Sequence, residues 1–267
     1  MRPSLFNDFS NALTDLKLGL ARWELWVTIG LNEIRQRYRR SLIGPFLITL
    51  SMGVMIVGIG NLYARLWHQP AETYLPFLAA GLIFWNFISA MIQDGCQLFV
   101  SMGGVIRQVY APISIYLFQM IWRNIIILAH NIIICVIVLP TFGLYPNWQT
   151  LEAIPGFLLI LANCAWISLV LGMLCARFRD VPQIILNVMQ ILFFITPVIW
   201  TGDRLSGFEA LLQFNPLYHL LELVRTPLLG SSPPLVNWLV SIGMAAAGIP
   251  IAIALFGRYR ARIAYWI

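Results

Sequence analysis

Six long apolar stretches alternate with short polar connectors, and the arginines collect on every second connector. This alternation constrains the fold more than any other feature, because apolar stretches of this length suit helices that cross a bilayer. Of the 267 residues, 60% are hydrophobic and only 10% are charged, against roughly 25% charged residues in a soluble domain. The sequence therefore predicts an all-α polytopic membrane protein.

The chain is predicted to be a single membrane domain, 1–267, with an N-terminal segment 1–40, a six-span bundle 43–256 and a tail 257–267. The spans are expected at 43–64, 74–92, 113–139, 154–175, 182–200 and 236–256. Because cytoplasmic loops collect Lys and Arg, the basic connectors assign both termini to the cytoplasm, and the even number of spans agrees.

The N-terminal segment contains an amphipathic pattern at 11–36 that carries too many charges to span a membrane. Its apolar stripe consists of Leu16, Leu20, Trp23, Val27, Leu31 and Ile34, at spacings of three and four residues. The pattern predicts a helix that lies in the membrane interface. An amphipathic helix packed on a partner protein explains the stripe equally well. The charges and the lack of a long apolar core also make this segment unlike a cleavable signal peptide.

The segment 201–235 lies between the fifth and sixth spans, yet it is markedly apolar and is broken at Asn215-Pro216. Neither half is long enough to cross the bilayer. The pattern predicts a re-entrant helical hairpin, which requires protein or a water-filled cavity around it. The alternative is an amphipathic pair resting on the outer leaflet.

The formal charge of +6 does not indicate nucleic-acid binding, because the arginines sit at span ends and form no continuous basic face. Anionic lipid headgroups are the expected partner of these residues. The four cysteines form no CxxC pair and are expected to be buried apolar side chains, with no metal site and no disulfide.

The sequence shows no clustered catalytic residues, since its three histidines lie on different segments. His130 and Asn131 form the notable intramembrane polar pair, and an interhelical hydrogen bond is the favoured interpretation. No carboxylate falls in the middle of a span, which disfavours coupling to protons. A phosphate-binding loop is excluded because the only lysine, Lys17, follows a leucine rather than a glycine. If ATP drives transport, a separate subunit is therefore expected to bind the ATP and magnesium.

Arg123 lies within the third span, where a charge is costly unless it faces a cavity or an acidic partner. Asp94, near the inner end of the second span, is the predicted partner. A structural ion pair is the preferred interpretation.

At these residues the chain resembles the ABC-2 family of polysaccharide-export permeases, the membrane subunits of exporters for O-antigen, capsule and teichoic acid. The resemblance rests on Arg37–Pro45, Arg123–Asn131, Leu171–Gln183 with Phe194–Trp200, and Asn215–Arg225. It implies a homodimer bound to two cytoplasmic ATPase subunits in the bacterial inner membrane. It also implies that 99–110, with Phe99, Val105, Arg107 and Tyr110, forms a coupling helix that seats into the ATPase.

The resemblance makes ATP-driven export of a polyprenyl-diphosphate-linked polysaccharide the expected function, with O-antigen as the favoured cargo. Aromatic residues at span ends are candidates for the glycan path, although an interfacial aromatic belt explains most such residues. They are Tyr63, Trp67, Tyr74, Trp85 and Trp200. Arg37, Arg39 and Arg40 are candidates for diphosphate capture, with positive-inside anchoring as the alternative. Export of a small molecule, or a membrane enzyme of lipid modification, are the other functions considered.

Overall fold

A computed structural model describes residues 5–39, 46–108, 111–201 and 212–267, and the regular elements in those ranges are helical. The longer helices are α1 (Leu5–Ala21), α2 (Trp23–Tyr38), α3 (Phe46–Leu66), α4 (Ala71–Gln97), α5 (Gly103–Gln108), α6 (Ser114–Thr141), α7 (Ala153–Arg177), α8 (Val181–Ile195), α9 (Pro216–Leu228) and α10 (Leu235–Trp266). A 3₁₀ turn at Gln149–Glu152 leads into α7. The all-α prediction is confirmed for the described part of the chain.

Five helices of the described residues are long and apolar enough to cross a membrane: α3, α4, α6, α7 with its preceding turn, and α10. They correspond to the predicted spans one, two, three, four and six. The helix α4 lies at the centre of the bundle and packs against α3, α6, α7, α8 and α9. By contrast, α3 is exposed along most of its length.

The predicted span at 182–200 is a shorter helix than expected. Helix α8 has 15 residues, which gives it a length of about 22 Å. It follows the basic connector after α7, and the chain then continues without regular structure through 196–201. That continuation reaches the start of α4, where Gln69 Nε2 donates to Thr201 Oγ1 at 3.1 Å and Tyr74 Oη donates to the Ile199 carbonyl at 2.7 Å. The segment 181–201 thus runs from one end of the bundle to the other.

Close contacts at glycines hold α7 against its neighbours. A Cβ atom on Gly95 of α4 would lie 2.7 Å from Cα of Ser168, and a Cβ on Gly248 of α10 would lie 2.2 Å from Cε2 of Trp166. Ser168 Oγ also donates to the Met91 carbonyl of α4 at 2.8 Å. Small residues therefore allow these backbones to approach as closely as they do, a common device in membrane bundles.

The predicted single helix at 11–36 is instead two helices, which meet at Arg22. Arg22 has φ −88° and ψ 46°, outside the helical region. Both helices dock onto the bundle at glycines: a Cβ on Gly19 would meet Ser114 at 2.2 Å, and one on Gly30 would meet Trp122 at 3.1 Å. The break allows each helix to follow its own line of contact on α6. The two chain termini lie at the same end of the bundle, because Arg260 Nη1 donates to the Asn11 carbonyl at 3.1 Å.

The second half of the predicted hairpin is helix α9, which packs against α4, α7 and α10. Asn215 caps it by accepting hydrogen bonds from the Leu217 and Tyr218 amides, and Pro216 occupies the first helical position, where it needs no donor. Most of its side chains are buried within the chain. This burial favours the re-entrant interpretation over a helix resting on lipid. The first half of the hairpin lies outside the described residues.

Candidate functional site

A polar face runs along α8, which is otherwise apolar. Gln183, Asn187 and Gln190 recur at spacings of four and three residues, which places them on one side of the helix. All three are exposed, and Gln183 Nε2 donates to Asn187 Oδ1 at 3.4 Å. Primary amides are costly to leave in hydrocarbon without partners. This face of α8 is therefore expected to lie against water, a polar solute or another polypeptide.

Helix α4 presents matching polar groups across a groove from α8. Ser89 and Gln93 lie one turn apart on α4, and Gln93 Nε2 donates to Ser89 Oγ at 2.7 Å. The groove between the helices has a volume of about 340 Å³. Its lining residues are Trp85, Ser89, Gln93, Leu186, Met189, Gln190, Phe193 and Phe194. Aromatic side chains therefore stand beside amides and a hydroxyl in this groove.

Trp85 belongs to this groove, but its ring is packed against α8. Its centroid lies 5.8 Å from that of Phe193, and the side chain is only 5% exposed. Phe193 in turn stacks edge-on with Phe194 at 5.4 Å. Phe194 is 64% exposed and is thus the aromatic side chain of this group that is open to a solute.

The other predicted path residues gather at the opposite end of the bundle from the termini. Tyr63, Trp67 and Tyr74 form a continuous cluster with ring centroids 4.7 and 5.8 Å apart. Trp200 directly follows Ile199, whose carbonyl accepts the hydrogen bond from Tyr74. The Nε1 atom of Trp200 donates to the Phe194 carbonyl at 2.9 Å. Tyr74 is buried, whereas Tyr63, Trp67 and Trp200 are half-exposed. The cluster borders the far end of the 181–201 segment, and its contact with a glycan stays a prediction.

Arg123 is the centre of an ion-pair cluster that joins three helices. Its Nη2 lies 2.7 Å from Asp94 Oδ2 of α4, as predicted, and its Nη1 lies 2.6 Å from Glu33 Oε2 of α2. Two amides complete the cluster: Gln119 Nε2 donates to Glu33 Oε1 at 2.6 Å, and Asn124 Nδ2 donates to Asp94 Oδ2 at 2.8 Å. The charge on Arg123 is therefore matched by two carboxylates inside the chain.

Glu33 was not predicted to be a partner of Arg123, although the sequence contained a signal for it. Glu33 falls outside the apolar stripe of the N-terminal segment, as does Asp15. Both acids face the bundle rather than water: Asp15 Oδ1 accepts from the Ser114 amide at 3.0 Å. The off-stripe carboxylates of the N-terminal helices thus mark their docking sites on the bundle.

A second buried pair lies at the opposite end, on α9. Arg225, only 2% exposed, pairs with Glu222 and donates to the Pro197 carbonyl. Its guanidinium lies 4.2 Å from the ring centroid of Phe77 on α4. Asn215 Nδ2 also donates to Thr196 Oγ1 at 2.8 Å. These contacts fix the turn after α8 against α9 and α4.

The predicted pair His130 and Asn131 does not form an interhelical hydrogen bond through its side chains. His130 Nδ1 lies 2.8 Å from the Ile126 carbonyl of its own helix, and the ring faces Phe46 at 6.3 Å. Asn131 is buried, and its Oδ1 has no hydrogen-bond partner among the described residues. The hydrogen bond that joins α3 and α6 at this point uses the His130 carbonyl, which accepts from Thr49 Oγ1 at 3.1 Å.

The predicted cytoplasmic residues are only partly described. Arg39 is exposed at the end of α2, whereas Arg40, Tyr110 and the side chains of Arg37, Val105 and Arg107 lie outside the described residues. A short helix, α5, is present between α4 and α6. Phe99 precedes it and is completely buried, so its own ring packs inside the chain. The four cysteines are free and buried, and no group of three potential ligands in the described chain could hold a metal ion.

A helical membrane bundle with an intramembrane groove of amides and aromatic rings has the build of a transport subunit. The model of the ABC-2 type transporter family matches residues 24–229. This match covers most of the chain, and the chain belongs to the ABC-2 type transporter family. It is also 20% identical, over 200 residues, to the O-antigen export system permease protein RfbA of Myxococcus xanthus; the match covers 74% of this chain and 77% of that protein.

Proposed function

We propose that this chain is the permease subunit of an ATP-driven exporter that moves a polyprenyl-diphosphate-linked polysaccharide, an O-antigen, across the bacterial inner membrane. Family membership and the relative named as an O-antigen export permease support the class of cargo. The groove between α4 and α8 is the observation that carries the proposal. It offers amides that can exchange hydrogen bonds and aromatic faces on which sugar rings can stack.

The α8 face and the α4 groove form the proposed path wall. A polymer must slide, so no contact along the wall can be tight or unique. Amides such as Asn187 and Gln190 both donate and accept, which lets them pass from one hydroxyl to the next. Phe194 adds an apolar face that sugars contact without a fixed pattern of hydrogen bonds.

One chain supplies only half of the proposed conduit. The polar face of α8 is exposed within the single chain, and so is most of α3. A second copy placed against these surfaces would give the exposed amides a polar neighbour and enclose a path between the two chains. We therefore propose six crossings in each copy, with 181–201 as the fifth, and a homodimer as the transporting unit.

The motor is proposed to be a pair of separate ATPase subunits that bind ATP and magnesium on the cytoplasmic side. The contact is assigned to the region 99–110 and to the N-terminal segment. Both termini are proposed to face the cytoplasm, because the basic residues gather at that end of the bundle. The ion pairs of Arg123 with Glu33 and Asp94 join α2 to α4 and α6. A movement of α2 against the ATPase would therefore also move these two spans.

The diphosphate of the cargo is proposed to bind Arg37, Arg39 and Arg40, whose forked donors match phosphate oxygens. Replacing Arg39 and Arg40 together by Gln should abolish export while membrane insertion and dimer assembly remain normal. Unchanged export by this double variant would leave the arginines with an anchoring role only.

The cargo class is tested by the response of ATP hydrolysis. The tagged chain is purified with its ATPase from native membranes and placed in nanodiscs, and hydrolysis is measured with three additions: lipid-linked polysaccharide, the same polysaccharide without lipid, and a panel of small hydrophobic compounds. We expect only the lipid-linked polymer to change the rate. A change caused by the small compounds alone would favour the alternative, an exporter of a small molecule. Capsule and teichoic acid substrates, as alternative polymers, are distinguished by repeating the measurement with each.

A further inference from the structure

A cavity of about 430 Å³ with charged, polar and apolar lining residues lies beside α1, at the end of the bundle where α1 meets the last turns of α10. It is bounded by α1 and its break, by the chain just before α6, and by the last turns of α10. The lining residues are Asn11, Thr14, Asp15, Leu18, Arg22, Ala111, Pro112, Ile113, Arg260 and Ala261. The cavity is separate from the α4–α8 groove and shares no residue with it.

Among the described residues, Asp15 supplies the one carboxylate that faces this cavity, and the fold already uses it. Asp15 is 8% exposed; its Oδ1 accepts from the Ser114 amide at 3.0 Å and its backbone carbonyl accepts from Ser114 Oγ at 2.8 Å. Its Oδ2 lies 3.3 Å from Arg260 Nη1, which also donates to the Asn11 carbonyl at 3.1 Å. Asp15 thus caps α6 and holds one nitrogen of Arg260, and it leaves the cavity with a net positive lining.

Donors remain available in that lining. Within the described residues, only Nη1 of Arg260 has a hydrogen-bond partner, so Nη2 and Nε are left for a ligand. Arg22 stands at the break between α1 and α2, where its exposed side chain has no partner in the described part of the chain. Thr14 Oγ1 donates its proton to the Ser10 carbonyl, and the same oxygen can still accept a hydrogen bond from a ligand. Two guanidinium groups on one cavity suit an oxyanion with several acceptors, such as a phosphate.

The surroundings of the cavity are those of a membrane boundary. Leu18 and Leu20 of α1 and Trp23 at the start of α2 are 53%, 56% and 57% exposed, and Leu18 also lines the cavity. Such side chains favour the zone between headgroups and acyl chains. Arg258 and Arg262, two positions from Arg260 on α10, do not line the cavity, and each lies over the ring of Tyr259. A ligand that enters here meets basic groups inside the cavity and apolar side chains just outside it.

We infer that this cavity binds the phosphate of an anionic phospholipid headgroup, with the acyl chains leaving past Leu18, which lines the cavity, and Trp23, which follows Arg22. Basic pockets between membrane helices on the cytoplasmic side are recognised sites for such headgroups. The exposed apolar side chains favour a lipid over a soluble phosphate, because only a lipid brings chains to cover them. The bound headgroup links α1, α6 and α10, and so strengthens the docking of the N-terminal segment. This inference is independent of the cargo.

The test uses the full chain in phosphatidylcholine nanodiscs that contain a small fraction of spin-labelled phosphatidylglycerol. In 0.5 M salt the Debye length is about 4 Å, which suppresses attraction by distant surface charges. Arg22→Gln should weaken phosphatidylglycerol binding about tenfold, as expected for loss of a charged hydrogen-bond donor. Arg22→Lys should recover part of the binding, and Arg260→Lys should weaken it while preserving the pair with Asp15.

Lys17→Gln is the matched control, since Lys17 is exposed on the same helix but does not line the cavity. It should bind phosphatidylglycerol as the parent chain does, and spin-labelled phosphatidylcholine should bind weakly to every form. Equal losses in Lys17→Gln and Arg22→Gln, or no loss in Arg22→Gln, would overturn the inference. Tight binding of inorganic pyrophosphate that displaces the lipid would also overturn it, because the cavity would then be a site for soluble phosphate.

Discussion

Oε2 of Glu33, on an N-terminal helix, lies 2.6 Å from Nη1 of Arg123 within the third membrane-spanning helix. The other terminal nitrogen of the same guanidinium holds Asp94 of α4 at 2.7 Å. One arginine therefore joins α2, α4 and α6 through a single planar group. In a transport subunit, this is the point at which movement of the N-terminal segment would reach the spans.

Replacing Arg123 by Gln should destabilise the bundle by about 2 kcal/mol, because two carboxylates would then face each other without a cation. The apparent melting temperature in detergent should fall by roughly 4–8 °C for that loss. Glu33→Gln should have a smaller effect, since its one amide oxygen can still accept from Arg123, and its NH2 group can donate to the oxygen of Gln119 once that amide rotates. Glu24→Gln, an exposed acid on the same helix, is the control and should melt as the parent chain does.

A double-mutant cycle of Glu33→Gln and Arg123→Gln separates the pair from its surroundings. The two effects should be less than additive, because each variant removes the same contact. If the two losses of stability were strictly additive, the Glu33–Arg123 contact would contribute no coupling energy between α2 and α6.

Gly95→Ala should disrupt the contact of α4 with α7. The added methyl group would lie 2.7 Å from the backbone of Ser168, which cannot yield without separating the helices, and overpacking of this kind costs about 1–3 kcal/mol. Gly53→Ala on α3 is the matched control, because no atom lies within 4 Å of its Cβ position. Detergent melting should show a loss for Gly95→Ala and no loss for Gly53→Ala. Because Gly→Ala inside a helix otherwise favours the helix, a loss of similar size in both variants would show that the α4–α7 contact is not responsible.

Arg225→Met should reduce the folded yield sharply. The change leaves Glu222 and the Pro197 carbonyl buried without their donor, at a cost of about 3–5 kcal/mol for a broken buried ion pair. Glu152→Gln, at the same end of the bundle, should be tolerated because its contact with Ser232 is exposed. The fraction of monodisperse protein in size-exclusion chromatography measures both. Normal yield of Arg225→Met would contradict a structural role for this pair.

Asn187→Leu combined with Gln190→Leu should block export and leave the assembled complex intact. The two substitutions remove hydrogen-bonding groups from the proposed path wall without changing the buried face of α8, where Met189 packs. Ile184→Leu with Ile191→Leu, on a neighbouring exposed face, is the control. Surface glycan in cells that depend on the variant chain reports export. If the apolar pair exports normally, the α8 face does not line the path.

Hydropathy predicted most of the bundle because an apolar run long enough to span a bilayer has few other stable structures. It placed α3, α6 and α7 to within a turn at each end, whereas α4 continues five residues and α10 ten residues past the ends of the predicted spans. It overestimated α8, because the apolar residues of 196–200 extend the run in sequence but fold into a non-helical turn held by Asn215, Tyr74 and Arg225. Because those partners are distant in sequence, no local sequence pattern predicts their contacts with 196–200.

The way in which the N-terminal segment packs on the bundle was harder to predict from the sequence for the same reason. Its apolar stripe predicted a helix in the membrane interface; Leu20 and Trp23 of that stripe are exposed, whereas Ile34 is buried within the chain. The break at Arg22 and the roles of Asp15 and Glu33 depend on where Ser114 and Arg123 stand on α6. The predicted partner of Arg123, Asp94, was found because both residues lie near the same end of adjacent spans. The polar face of α8 was visible as three amides at helical spacing, but its significance depends on its exposure opposite α4.

Reconstituted transport tests the central claim most directly. The permease is placed in proteoliposomes with and without its ATPase, lipid-linked polysaccharide is added on the ATPase side, and its arrival on the opposite side is measured with a glycan-specific probe. We expect polymer to cross only when the ATPase and hydrolysable ATP are both present. Crossing at the same rate by the permease alone would contradict the assignment of this chain as a conduit driven by a separate motor.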